Sequence, residues 1–287
     1  MDHVDIAPDP TPWWGTFSLK PETGGRWEIG PSTLWLYRNK REWRVFSRLS
    51  ADPAVVADPM VNRSEMQVPV ETDEMTDVLD LVDSRISVTR HTFGKTKPGV
   101  TLQPALADRP IVFRPEQTIH IPAGESVTLY LSTALWIRIV LTESDRILQE
   151  LATYRLSDTW FGTTTTKGEF CYASRTSGRL ELDRVPRRPH RAVTPLQVEN
   201  SGADALVLER VQLPVLHLSV FETDQHTLWT ETVRMTRKLG SEGADIQIRR
   251  GPPAAAGSAA LLQPPRDTGK RGLITTTFGA FGALFSS

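Results

Sequence analysis

The sequence predicts an all-β fold: two β-sandwich-like lobes with little helix, followed by a short amphipathic C-terminal tail. Three observations carry this. Short apolar runs recur at roughly 8–12-residue spacing with turn residues between them. Between Ile111 and Leu141 apolar side chains first alternate and then occupy both faces of a strand, which calls for a second covering layer. No long helical period is present, so an alternating βα architecture is disfavoured.

Taken in order, Met1 to Pro12 is acidic and Pro-rich and reads as a disordered lead-in. Thr33–Tyr37 and Trp43–Phe46 read as strands of an early meander, with Gly24-Gly25 and Asn39-Lys40 as turns. Asp52 to Asp83 is acidic and ambiguous. Val78, Leu79 and Val82 have helical spacing, whereas Val68 and Val70 alternate as in a strand. Ile111/Phe113 and Ile119/Ile121 alternate, and Pro122-Ala123-Gly124-Glu125 makes a turn. Val127, Leu129 and Leu131 share one face of the next strand. Leu135, Ile137, Ile139 and Leu141 share one face of the strand after it, with Trp136 and Val140 opposite. Ile147, Leu148, Leu151 and Tyr154 fit one or two helical turns. A second strand series then runs from Phe170 through Leu196–Val198, Leu206–Leu213, Val215–Phe221, Trp229–Met235 and Ile246–Ile248, with a turn at Asn200–Asp204. The resulting division is an N-terminal lobe over 13–145, a C-terminal lobe over 146–250, a flexible Pro/Ala/Gly linker over 251–272 and an apolar tail over 273–287.

Composition narrows the function classes. Lys+Arg number 33 against 34 Asp+Glu, a formal net charge of -1, so no global field favours nucleic acid or an anionic membrane. The single cysteine, Cys171, excludes an intramolecular disulfide and fits a reducing compartment. The first residues lack the basic and apolar regions of a signal peptide, and no apolar run has the length of a spanning helix. The expectation is a cytoplasmic protein that is not an integral membrane protein.

Ile121-Pro122-Ala123-Gly124-Glu125-Ser126 leads into Leu129-Tyr130-Leu131 and Leu135-Trp136-Ile137. Ser157-Asp158-Thr159-Trp160-Phe161-Gly162, Pro189-His190-Arg191-Ala192 and Leu228-Trp229-Thr230-Glu231 follow. In order and spacing these resemble an uncharacterised prokaryotic family, the domain of unknown function numbered four hundred thirty-two, over about Trp14 to Pro252. The resemblance brings no catalytic residues. It implies a possible partner, the small mechanosensitive channels of bacterial inner membranes, bound from the cytoplasmic side.

The residues themselves offer little catalytic machinery. The six histidines show no metal-ligand spacing, and one cysteine cannot build a Cys-based zinc site, so neither a metal nor a cofactor is expected. No Gly-x-Ser-x-Gly elbow occurs. Cys171, in Glu169-Phe170-Cys171-Tyr172-Ala173, reads as a buried strand cysteine. Gly94-Lys95-Thr96 echoes the end of a P-loop, but position 89 is Thr89, so Phe93 to Gly99 reads as a flexible loop. Eight tryptophans invite a sugar-stacking reading, with Trp13-Trp14 near the start and Trp160-Phe161 in a Gly/Thr-rich loop. Plugging a sandwich core is the commoner role.

Two features remain as binding candidates. Arg184, Arg187, Arg188, His190 and Arg191 form a basic cluster broken by Pro186 and Pro189. Such guanidinium groups grip phosphates or carboxylates, or they form a solvated loop. In the tail, Phe278, Phe281, Leu284 and Phe285 are spaced for one side of a short helix that Gly279 and Gly282 weaken. It would fold against its own body, a second copy, a partner or a bilayer interface. The expectation is therefore a non-enzymatic binding or accessory protein docking through this tail. One alternative is a hydrolase or transferase using Asp158, Glu169, Arg175, His190 and Arg191 in an inter-lobe cleft. Another is a small-ligand or lipid sensor.

Overall fold

In the computed structural model, residues 12–50, 64–70, 86–162, 166, 168–237, 244–269 and 274–276 are described. Among them strand predominates and no helix reaches seven residues. The first twelve strands are β1 (Gly15–Ser18), β2 (Thr23–Ile29), β3 (Ser32–Arg38), β4 (Glu42–Leu49), β5 (Ser64–Val70), β6 (Ser87–Thr92), β7 (Gly99–Ala105), β8 (Ile111–Pro115), β9 (Ile119–Ile121), β10 (Ser126–Ala134), β11 (Trp136–Leu141) and β12 (Arg146–Ala152).

The first sandwich follows from alternation in these strands. A five-stranded sheet, β5-β2-β3-β4-β6, sends Trp27, Leu34, Leu36, Trp43 and Val45 inward. A four-stranded sheet, β1-β7-β11-β12, meets them with Val100, Leu102, Ile137 and Ile139. Trp13, Trp27 and Trp43 are fully buried, so these tryptophans pack the core. β11 lies inside its sheet and is buried on both faces, as its double apolar pattern requires.

The second sandwich uses β8 to β10 and the rest of the chain: β13 (Ser157–Gly162), β14 (Gly168–Thr176), β15 (Arg191–Asn200), β16 (Leu206–Leu208), β17 (Val211–Leu213), β18 (Val220–Thr223), β19 (Leu228–Trp229), β20 (Thr232–Arg237), β21 (Ala244–Arg249), β22 (Ala259–Gln263) and β23 (Ile274–Thr276). An eight-stranded sheet runs β22-β18-β19-β15-β20-β21-β23, with β10 pairing along β15. It shares a core with the sheet β13-β14-β8-β17, where Ile111, Phe113 and Cys171 lie in one cluster with Leu129, Leu196 and Val233. Asn200 closes the β15 turn as its side-chain amide donates to the carbonyls of Ile121 (2.9 Å) and Asp204 (2.8 Å).

Several local expectations are corrected. Gly24 and Gly25 are not a turn; they lie in β2 opposite Tyr37 and Leu36. A Cβ on Gly25 would stand 2.5 Å from Cη2 of Trp27, so glycine is there to admit the indole. Ile147–Leu151 is strand, not helical turns. A bulge opposite Ile139/Val140 leaves Leu148 as the extra residue in β12, and this brings Leu148 and Leu151 to the same core with a helix-like spacing. The segment around Gly94 is held down: Thr96 is buried, and its hydroxyl and carbonyl accept bonds from the Arg38 guanidinium. Trp160 and Phe161 lie in β13 and not in a loop.

The expected lobe boundary at 145/146 falls inside the β11–β12 hairpin, because β12 completes the first sandwich. The two cores meet along β7 and β11: Leu102 belongs to one and Ala105 to the other, and Trp14 packs against both. The stretch expected as a flexible linker is laid on the body as far as Gly269. It contains a 3-10 turn at Ala254–Ala256, and β22 covers the open edge of β18. Beyond it the Arg266 guanidinium donates to the Leu106 carbonyl and to Glu150, both at 2.7 Å. The tail residues Phe278, Phe281, Leu284 and Phe285 lie outside the described residues, as do Val78, Leu79 and Val82.

Candidate functional site

The segment joining β14 to β15 decides where the basic cluster goes. It crosses the outer face of the eight-stranded sheet as a strap with a 3-10 turn at Leu182–Arg184. It is pinned where Val185 packs against Val193, Phe221 and Trp229, and where the Tyr130 N–H donates to the Arg179 carbonyl at 2.8 Å. Alternate strap residues therefore fall on opposite sides of Val185, and a cavity opens on each side.

On one side is a cavity of about 380 Å³ lined by Arg175, Arg179, Arg188, Arg191 and one carboxylate, Glu116. Among the described residues none of these four arginines has a carboxylate partner within ion-pair distance. Arg191 leads β15; its Nη1 donates to the Ser132 carbonyl at 3.0 Å and its guanidinium stacks on the Tyr154 ring at 5.0 Å. The Nε atoms of Arg188 and Arg191 are buried without a hydrogen-bond partner. Burial lowers the Arg191 pKa to about 10, with Arg188 adding to the effect. Burial also lowers that of Arg188, and Arg179 contributes. Four guanidinium groups against one carboxylate leave a local charge of about +3 in a chain whose formal net charge is -1.

On the other side of the strap a cavity of about 310 Å³ is lined by Trp229, Val193, Arg187, Gln225 and Thr227, with Val185 between the two. Arg187 turns this way and donates to Gln225 Oε1 at 2.8 Å. Arg184 points to solvent and pairs with Glu181 at 2.5 Å. The predicted cluster is thus divided: Arg188 and Arg191 share the charged cavity, and Arg184 and Arg187 do not.

His190, between Arg188 and Arg191 in the chain, is not part of the cavity lining. It is 1% exposed, and neither ring nitrogen has a hydrogen-bond partner. Burial, reinforced by the neighbouring Arg191 and Arg188, lowers its pKa to about 3, so it is neutral at physiological pH. The β2–β3 turn of the first sandwich covers the ring at Gly30. The Trp13 indole donates to the Pro189 carbonyl at 2.8 Å, and the Thr153 hydroxyl reaches the His190 carbonyl at 3.3 Å. His190 is therefore a brace for the loop carrying Arg188 and Arg191, with no free face for a ligand.

Of the other catalytic candidates, Asp158 is exposed on β13 and pairs with Arg109 at 3.3 Å. Glu169 on β14 accepts a bond from the Gln212 amide at 2.5 Å. Neither carboxylate reaches His190, and Arg175 and Arg191 lie in the charged cavity, so the five do not form an acid–base pair. Cys171 is fully buried, and burial pushes its thiol up to about 11, well away from a reactive thiolate. Among the described residues no group of three or more His, Cys, Asp or Glu side chains is placed to hold a metal ion. Nor, among the described residues, is any helix long and apolar enough to cross a membrane.

From the sequence Arg175 stands out only as a catalytic candidate and Tyr130 only as part of a motif, and nothing marks Arg179 or Glu116. The signal was the run of basic residues itself, which begins at Arg175 and not at Arg184.

A family model described as "Protein of unknown function (DUF432)" matches residues 13–282. No curated protein and no solved structure matches the chain significantly.

Proposed function

The chain therefore belongs to that family, and we propose that it acts by binding, holding an anionic ligand in the cavity lined by Arg175, Arg179, Arg188 and Arg191. One observation carries this reading. Four arginines share one small cavity without carboxylate partners among the described residues, and like charges so placed repel one another until an anion enters. An arginine cluster that served only stability would be expected to carry its own counter-ions, as Glu42 does for Arg44 (2.7 Å) and Arg90 (2.5 Å).

Thermal unfolding at constant ionic strength tests it. Ligand at a hundredfold excess over its Kd stabilises a folded protein by about 2.7 kcal/mol. Millimolar sulfate, citrate or pyrophosphate should raise the wild-type midpoint by several degrees more than that of an Arg175→Ala/Arg188→Ala variant. Equal shifts in the two proteins would remove the reading.

The accessory role expected from the tail is part of the same proposal and rests on sequence. Phe278, Phe281, Leu284 and Phe285 would dock on a protein partner, for which a membrane channel assembly is the candidate. Because β23 pairs with β21, the informative truncation ends at Thr276 and spares that strand. Recovery of the same partners at equal yield by the full and truncated chains would exclude the tail as the docking element.

A further inference from the structure

We infer that the ligand of the arginine cavity is a multiply charged organic phosphate. The inference rests on the anion-binding reading and adds the ligand's chemistry from three features.

The first is the placement of the cations. Arg175 comes from β14, Arg179 from the turn after it, Arg188 from the end of the strap and Arg191 from the start of β15. A carboxylate is planar, offers two oxygens and is satisfied by one or two guanidinium forks. A phosphate group offers three or more oxygens around a tetrahedron and carries up to two charges, so it serves cations arriving from several segments. A local charge of about +3 is matched by two phosphate groups or a diphosphate, and not by one carboxylate.

The second is size. At about 380 Å³ the cavity exceeds what an inorganic ion occupies and falls within the range of organic ligand sites, roughly 300–1,000 Å³. The third is the remaining wall. Tyr130 and Tyr154 give it aromatic surface, and Ser132, Thr176 and Ser177 add hydroxyls that donate without adding negative charge. Such a wall suits the uncharged body of an organic phosphate. The same chemistry is presented by a free phosphorylated metabolite and by a phospholipid headgroup.

Isothermal titration of the full chain with inorganic pyrophosphate, ATP and citrate at one ionic strength tests the inference. Flotation with phosphatidylcholine vesicles with and without phosphatidic acid separates the two sources. The expected result is that pyrophosphate and ATP bind at least tenfold more tightly than citrate, with ATP no weaker than pyrophosphate. Arg188→Ala, and separately the exposed Arg175→Ala, should each weaken phosphate binding at least tenfold. Arg187→Ala, which alters the neighbouring cavity, should stay within twofold. Flotation with phosphatidic acid, abolished by Arg188→Ala, in a protein that ignores the soluble phosphates would assign the phosphate to a lipid. Citrate binding as tightly as pyrophosphate would overturn the phosphate inference while leaving an anion site. ATP binding tenfold more weakly than pyrophosphate would overturn its organic part. No binding by any probe or vesicle, or full binding by both arginine variants, would overturn the inference and the anion site together.

Discussion

Gly30→Ala is the sharpest test of how the two sandwiches hold the cationic loop. Gly30 opens the two-residue turn between β2 and β3 with φ +55, and an added Cβ would lie 2.1 Å from Nδ1, 2.5 Å from Cε1 and 2.7 Å from Cγ of His190. The backbone conformation alone costs a non-glycine residue about 1–2 kcal/mol. The contact adds an overpacking cost of about 1–3 kcal/mol, because the ring is almost fully buried and has nowhere to move. A loss of about 2–5 kcal/mol follows. Gly124→Ala supplies the control, since Gly124 has φ +80 but nothing within 4 Å of its added Cβ, so it should lose only the conformational part. Urea denaturation of the three proteins gives the two losses, and their difference isolates the contact at about 1–3 kcal/mol. Adding His190→Ala should recover part of the Gly30→Ala loss, since the smaller side chain vacates the space. Equal losses for Gly30→Ala and Gly124→Ala, or no coupling to His190→Ala, would refute the bracing role assigned to this contact.

Further outcomes follow from the same geometry. His190 takes up a proton in the unfolded chain near its ordinary value of 6.5 but in the folded chain only near 3, so the unfolded state binds more protons between those values and stability falls as pH drops through that window. Between pH 7 and pH 5 this amounts to about 2 kcal/mol, which a His190→Leu variant should not show in denaturant titrations at the two pH values. Glu42, held down to about 2 by its bonds from Arg90 and Arg44, gives stability that is full above about 4.5 and lost as pH falls through 2. Glu42→Gln should therefore be less stable than wild type at pH 7, with the gap closing towards pH 2. Arg266→Ala removes a bridge between the carbonyl of buried Leu106 and Glu150; Glu150 keeps its bond from Arg138, whereas the Leu106 carbonyl loses its charged donor. The substitution should cost about 1–3 kcal/mol, and hydrogen exchange should report faster opening of β22 than of β15.

What the sequence made legible was the part governed by local alternation. β3, β4, β8, β10, β11 and β15 carry apolar residues at period two, and the turns at Pro122–Glu125 and Asn200–Asp204 carry their own hydrogen-bonding residues. Where tertiary packing chose the residue, the local signal misled. Gly24-Gly25 has turn composition, yet Gly25 is small because Trp27 fills the space above it. Leu148 and Leu151 mimic a helix because a bulge shifts the strand by one residue. Ala259–Gln263 follows a Pro/Ala/Gly run that has the composition of a linker, but these five residues form an edge strand by pairing with β18. The candidate site was half legible for a similar reason. The run of arginines is plain in the sequence, but which of two adjacent guanidinium groups enters the cavity depends on the path of the strap around Val185. That path, and the arrival of Arg175 from β14 and of Arg179 from the turn after it, are long-range facts.

The arginine cavity also bears on why two sandwiches are fused through shared strands. Clustering four cations raises the energy of the empty protein, and Arg188 and Arg191 each have a buried Nε without a partner. A loop bearing that strain would relax outward unless something outside it resisted. The resistance comes from the first sandwich: the Gly30 turn sits over His190, and the Trp13 indole holds the Pro189 carbonyl. His190 suits this position because, kept neutral, it adds bulk without adding a further charge. The cost of keeping the cations together is thus carried by contacts remote from the ligand. On this argument an anion that fills the cavity should stabilise the contact between the sandwiches as well as the loop. A variant that loosens the Gly30–His190 contact should weaken anion binding even though neither residue touches the ligand.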